Sequence, residues 1–550
     1  VDRFYLSDSL DVYVEPRNKK VIVKGNRNLV FGGKLNAGNF VTYGDKFKFD
    51  YNEFKIEMGA IDSIEIKTAG KGKDKSSLSR MYGQDKNAKD GESALGFGTL
   101  YINKPDNKSS KKRYPRYPIF DIKTPSFIYF DKQEYLKGKY GTQVYFKIPP
   151  FEVDSTASSN SKSVSFDGTF HSDSIFPDFP EKLKIRPDKS LGFVHKTPEN
   201  GYSLYGTDAR FFGTISMDFK GLRGKGEIKY LNATIQSDDF IFYPDSVIAR
   251  GRTAKMEGAL IADVAFPECL MDAYAMKWNT KKKSMNFINA KGMPFKLYNK
   301  AVSLEGLVSL SPAGLSGRGY IQTAGSRAES ERYKFGKDGF SGRKAFFEVK
   351  SNNPIKPALA CRNVRFEFSI AEQKADFSPE VKGFASNVFP FCQYKTSIPK
   401  ATWFIEKKMV TMSKPDSVEL KSSYFFSTKK EQDSLYFNAS DAIYDIATHN
   451  LKITGIPYIH VADAEIKPDS GGVTVSEGAN MKTLKNATVL VDRVNKYHTL
   501  KQANIKILSR TKFEGDGIYQ YINALKDTIS IKFNEFMLVD PLADKKTKVD

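Results

Sequence analysis

The chain has 550 residues, which at roughly 150 residues per domain is room for three or four units with large cores. Hydrophobic residues make up 40% and aromatic residues 13%, too much packing material for a disordered chain. Lys and Arg number 85 against 64 Asp and Glu, and the resulting +21 is spread along the sequence, favouring anionic neighbours such as phosphate-bearing lipids, acidic glycans or nucleic acid without choosing among them.

Cys269, Cys361 and Cys392 show no Cys-x-x-Cys spacing, which excludes a disulfide framework and a four-cysteine zinc site. At most one bridge can form, Cys361 with Cys392 being the closer pair, and buried free thiols are the expectation. No stretch approaches the ~18 consecutive apolar residues of a membrane helix. Val1-Asp2-Arg3-Phe4 carries no apolar leader, and with the closing run Asp544-Lys545-Lys546-Thr547-Lys548 it fits a segment of a longer protein or a processed form.

Alternation of period two begins at once, in Val12-Tyr13-Val14, Val21-Ile22-Val23 and Phe47-Lys48-Phe49-Asp50-Tyr51. Such alternation gives strands one buried and one wet face. Turn residues interrupt it at intervals of about eight to twelve, leaving almost no window for three helical turns. Residues 68–93, with Gly70-Lys71-Gly72-Lys73-Asp74-Lys75-Ser76-Ser77, are too polar to offset ordering and predict a mobile loop. In Lys111-Lys112-Arg113-Tyr114-Pro115-Arg116-Tyr117 cations interleave with tyrosines. Lys111, Lys112, Arg113 and Arg116 are therefore the candidate contacts for an anionic ligand, with a solvated basic loop as the plain alternative. Residues 154–163 have linker composition and close a first β unit over 1–160.

The second section, 161–395, reads as duplicated. Phe212-Gly213-Thr214-Ile215 followed by Gly221-Leu222-Arg223-Gly224-Lys225-Gly226 recurs as Glu305-Gly306-Leu307-Val308 followed by Gly314-Leu315-Ser316-Gly317-Arg318-Gly319, at 306 − 213 = 93 and 319 − 226 = 93. Gly168 with Phe176-Pro177 recurs as Gly258 with Phe266-Pro267, and Gly383 with Phe389-Pro390 is a fainter third copy. The unit predicted is a strand, a turn through Gly-Leu-x-Gly-x-Gly, and a second strand. In the third section, 396–550, Ala442, Ala464, Ala487 and Ala503 open strands at separations of 22, 23 and 16, suiting stacked coils, with ordinary hairpins as the alternative.

No catalytic signature emerges. His171, His195, His449, His460 and His498 form neither His-x-His nor His-Glu-x-x-His, and His449 with His460 lacks a third ligand. Gly-x-Ser-x-Gly is missing. Gly221–Gly226 lacks the Lys-Ser/Thr ending of a phosphate-binding loop, and neither a calcium loop nor a nucleic-acid motif occurs. Neither an enzyme nor a cofactor is expected, and nucleic acid is not an expected partner.

Tyr436-Phe437-Asn438-Ala439-Ser440-Asp441-Ala442-Ile443-Tyr444-Asp445, then Leu451-Lys452-Ile453-Thr454-Gly455, then Val461-Ala462-Asp463-Ala464-Glu465-Ile466 resemble the OstA-like lipopolysaccharide-bridge β-jellyroll family over about 80 residues. The remainder looks like large β-repeat envelope proteins of Gram-negative bacteria. The resemblance implies an open, twisted β-groove and a role in lipid handling or bridging, in the periplasm or at the outer membrane. It carries over no individual site residue. The expectation is an all-β chain of extended, repetitive antiparallel sheets, as a twisted groove, jellyroll or solenoid with little helix. Its expected role is a non-enzymatic envelope protein that binds a lipid or anionic glycan and meets other envelope proteins. The alternatives are a tandem β-sandwich scaffold or adhesin and a polysaccharide-active β-helix enzyme.

Overall fold

A computed structural model describes residues 1–67, 77–89, 95–154, 164–188, 190–492 and 494–537. The protein is all-β, with 59% of the described residues in strands, and among them no helix reaches seven residues. None is long and apolar enough to cross a membrane. The chain divides into two compact units, Val1–Ala254 with Ala275–Ser284, and Lys255–Tyr274 with Met285–Asp550, so the duplicated section is shared between them.

In the first unit Leu29–Ala37 pairs with Phe40–Asp50, which pairs with the long strand Lys55–Lys67. Alternation does the sorting here: Ile56, Met58 and Ala60 are buried, Glu57 and Gly59 exposed. The long strand carries two partners end to end. Gly96–Tyr101 lies along its first half (Lys55↔Tyr101, Ile61↔Gly96) and Ser77–Tyr82 along its second (Ser63↔Tyr82, Lys67↔Ser77). Two ladders leave this fork. One continues through Ile119–Ile122 and Phe151–Asp154, the other through Ser126–Tyr129, Val144–Ile148 and Ser165–Ser172. Part of the loop expected over 68–93 is thus a strand, anchored by the fully buried Met81. The rest of that stretch, 68–76 and 90–93, and linker residues 155–163 lie outside the described residues.

The duplication is reproduced bond for bond. Arg210–Asp218 with Gly221–Tyr230 sets Gly213 opposite Gly226, and Val302–Ser311 with Gly314–Gln322 sets Gly306 opposite Gly319. The bulge between Gly224 and Gly226 recurs between Gly317 and Gly319. The glycine run is strand, however, where a turn was expected: Asp218 pairs with Gly221, so the turn is Phe219-Lys220. Close approach is what demands glycine. A Cβ on Gly224 would lie 2.7 Å from the Phe211 ring and 2.8 Å from the Phe242 ring.

The second unit has its own fork. Leu359–Ser369 pairs with Lys374–Pro379 on one half and Asn387–Phe389 on the other. The first ladder runs on through Lys400–Phe404, Met409–Ser413, Asp441–Asp445, Asn450–Thr454 and Val473–Ser476. The second runs through Tyr394–Thr396, Tyr424–Ser427 and Tyr436–Asn438. From Asn387 to Thr454 the chain visits the ladders alternately, one hairpin at a time.

The first-ladder hairpins bury the same four positions each time: Phe366, Phe368, Ala375 and Phe377; Ala401, Trp403, Val410 and Met412; Ala442, Tyr444, Leu451 and Ile453. Each turn ends on a left-handed residue, Gln373, Lys408 or His449. The turns stack through backbone bonds, Ile405 N–H to Gln373 O (3.0 Å) and Ile446 N–H to Lys408 O (3.0 Å). Between the ladders the buried rings of Phe389 and Tyr444 meet at 4.8 Å. This interior is filled by side chains.

A six-stranded sheet, Ile459–Val461, Ala464–Lys467, Leu484–Val491, His498–Ser509, Lys512–Ile522 and Thr528–Met537, follows in the same unit. Ala464, Ala487 and Ala503 belong to it and Ala442 to the first ladder, so the four alanines, all buried, do not form one stack.

Candidate functional site

The predicted basic run sits on a loop of the first unit whose shape is set by two buried asparagines. Asn107 accepts a hydrogen bond from Lys112 N–H at Oδ1 (3.0 Å) and donates from Nδ2 to Lys112 O (2.7 Å). Asn103 Nδ2 donates to Ser110 Oγ (3.0 Å). With the backbone held inward, the side chains of Lys111, Lys112 and Arg113 are exposed, and none has an ion-pair partner among the described residues.

Arg116 is in a different position. Its guanidinium bonds Glu152 (2.9 Å) and Asp154 (3.0 Å) on Phe151–Asp154, and the hydrogen bond to Asp154 leads the causes that raise its pKa. Its charge is therefore answered within the protein. Lys111, Lys112 and Arg113 thus stand together without ion-pair partners among the described residues, and Arg116, also exposed, is ion-paired.

Sequence inspection missed three further cations. Lys104 Nζ lies 4.3 Å above the Tyr114 ring, whose edge meets Tyr117 at 6.4 Å. Arg27 lies 5.0 Å above Tyr51 and donates to its hydroxyl (2.9 Å), while Lys108 approaches the same ring at 5.5 Å. Only the pairing of Leu29–Ala37 with Phe40–Asp50 brings residue 27 near residue 51, and no local spacing signals it. The result is a lobe of exposed cations with the half-buried Lys108 among them, some ordered on tyrosine faces, which attracts phosphates and carboxylates over about a Debye length of ~8–10 Å.

Four of the five histidines pack against aromatic rings, while His498 is exposed beside the Tyr519 hydroxyl (2.7 Å). His195 Nδ1 is 2.8 Å from Glu181 Oε2 and Nε2 is 2.9 Å from the Tyr202 hydroxyl, with the ring stacked on Phe179 at 4.0 Å. These residues come from the strands Phe179–Ile185, Leu191–Lys196 and Tyr202–Ser203, so the network ties the strands together. His171 stacks on Tyr145 (4.4 Å) and meets Asp178 (2.8 Å). His449 stacks on Phe391 (3.7 Å) beside the Tyr444 hydroxyl (3.1 Å), and His460 packs against Tyr458. Among the described residues no three metal-ligating side chains converge. All three cysteines are free and buried, and burial pushes the thiols of Cys269 and Cys392 up to about 12.

No protein-family model and no curated protein matches the sequence.

Proposed function

We propose that the chain is a non-enzymatic β-repeat protein of the cell envelope, periplasmic or associated with the outer membrane, that binds or bridges an amphipathic, anionic ligand such as a phosphate-bearing lipid. The supporting observation is the trio Lys111, Lys112 and Arg113, exposed without ion-pair partners on a loop anchored by buried Asn107. A Lys or Arg near an anionic lipid surface contributes about 1 kcal/mol, so three contribute about 3 kcal/mol, roughly a hundredfold in partitioning.

The test is mass spectrometry of whatever is extracted from the protein purified from its own cells. A phosphorylated lipid retained by the native chain and lost from K111A/K112A/R113A supports the proposal. A chain that carries no lipid and shows no lipid-driven thermal shift counts against it. The filled interior also favours a second reading, a scaffold or adhesin without a bound lipid, which predicts that second outcome.

A further inference from the structure

The two copies of the duplicated hairpin differ in how they treat one arginine. In the first copy a cleft of about 790 Å³ is lined by Phe212, Lys225, Glu227, Gln236, Arg250 and Arg252, among others. Its acids are largely engaged: Asp238 with Lys225 (3.0 Å), Asp239 with Arg223 (3.0 Å) and Glu227 with Lys229 (3.2 Å). Arg250 and Arg252 are exposed, and neither guanidinium has an ion-pair or hydrogen-bond partner among the described residues.

In the second copy the position of Arg250 is held by Arg343, at 343 − 250 = 93. The Arg343 guanidinium is closed off by Glu380, with Nε at 3.2 Å and Nη2 at 3.1 Å from its two oxygens. Ala345, fully buried, stands where the first copy has Arg252. The same scaffold thus neutralises its cation in one copy and leaves two open in the other.

The open pair continues along its strand. Ser246–Gly251 buries Val247 and Ala249 and turns Ile248 and Arg250 outward. At the other end of this outer face Ser246 and Ile248 line a second hollow, of about 550 Å³, together with Lys139, Lys277, Lys281 and Asp245, whose carboxylate accepts from the Ser246 hydroxyl (3.0 Å). None of these three lysines has an ion-pair or hydrogen-bonded ammonium partner among the described residues. Five unanswered cations therefore flank one strand, over ~20 Å at ~3.3 Å per residue.

We propose that this track binds a linear anionic oligosaccharide, a sugar chain bearing carboxylates or phosphates. Two separated cation groups suit a ligand with spaced charges. The amide of Gln236, in the lining of the cleft, can exchange hydrogen bonds with sugar hydroxyls. Half-buried Phe212 lines the cleft, with Lys229 Nζ 4.9 Å over its ring. The proposal shares with the lobe only the anionic character of the ligand, and it stands or fails separately.

The test is calorimetric titration of the full chain with a galacturonate oligomer of about ten residues and with a neutral dextran oligomer of equal length. The acidic oligomer is expected to bind and the neutral one not. Arg250→Ala/Arg252→Ala is expected to weaken binding by at least about tenfold, Arg250→Lys/Arg252→Lys by less, and K111A/K112A/R113A not at all. Unchanged melting of each variant establishes that it is folded, and if the alanine pair fails to fold, the lysine pair alone decides by weakening binding or leaving it as in the native chain. Native-like binding by whichever pair is folded, equal binding of the neutral oligomer, or loss only of binding to phosphatidylglycerol vesicles would overturn the proposal.

Discussion

Tyr205 and Tyr298 close equivalent hairpins 93 residues apart, since 298 − 205 = 93. The Tyr205 hydroxyl reaches the carbonyls of Tyr243 (2.7 Å) and Ser246 (3.1 Å), and the Tyr298 hydroxyl those of Gly336 (3.0 Å) and Gly339 (2.6 Å). In each case the two carbonyls flank the third strand-to-strand turn further along the chain, Pro244-Asp245 and Lys337-Asp338, and burial raises both phenols. Each turn keeps one backbone bond of its own, Tyr243 N–H to Ser246 O and Gly336 N–H to Gly339 O. Tyr205→Phe and Tyr298→Phe are therefore expected to cost about 1 kcal/mol each, read as lower urea midpoints at unchanged slope.

Tyr333 predicts the opposite sign. It is 1% exposed, and among the described residues its hydroxyl has no hydrogen-bond partner, whereas the first copy has Phe240 at the matching position, 333 − 240 = 93. Removing a buried, unsatisfied hydroxyl returns its desolvation cost, so Tyr333→Phe should raise stability by about 1 kcal/mol. A lowered denaturation midpoint would show that the hydroxyl is satisfied in solution.

The paired glycines are the least replaceable positions of the repeat. Gly213 and Gly306 have φ of 147° and 148°. A Cβ would lie 2.1 Å from Lys225 O in the first case and 2.2 Å from Arg318 O in the second. Backbone carbonyls cannot swing aside as a flexible side chain can. Gly213→Ala or Gly306→Ala should cost about 2 kcal/mol or more, against about 0.5 kcal/mol for an ordinary surface change. Thermal melts of the two variants check this.

The buried thiols make stability fall as pH rises above ~8.5. In the unfolded chain a thiol loses its proton near pH ~8.5, while Cys269 and Cys392 in the fold hold theirs up to about 12. Raised folded-state values mean that the stabilisation is complete below pH ~8.5 and is lost as pH rises toward 12. The slope is about 1.4 kcal/mol per pH unit for each thiol. Urea midpoints at pH 7 and pH 10 should differ accordingly, and a thiol reagent at pH 8 should label none of the three cysteines until the chain unfolds.

How much of this the sequence discloses depends on how local each constraint is. Gly213 and Gly226, like Gly306 and Gly319, must be glycine because backbones touch there, so the 93-residue offset survives as identical letters. The stacked hairpins were harder to see. Their aromatic position is filled by Phe368, Trp403 and Tyr444, and their left-handed turn residue by Gln373, Lys408 and His449. Burial and turn geometry there accept several residue types. The four alanines misled because smallness suits any close packing, and two separate sheets use it. Charge pairing was the least legible: Arg116 meets its acids at 152 and 154, and Arg343 its partner at 380, through strand pairings that no local window contains.

The central claim is that Lys111, Lys112 and Arg113 hold anionic lipid head groups, and vesicle flotation tests it most directly. At ~0.1 M salt the native chain should float with vesicles of phosphatidylglycerol and phosphatidylcholine but not with phosphatidylcholine alone. K111A/K112A/R113A should lose roughly a hundredfold in partitioning, while Arg116→Ala, whose charge Glu152 and Asp154 already answer, should change little. Equal flotation with neutral vesicles, or native flotation of the triple variant, would contradict the account.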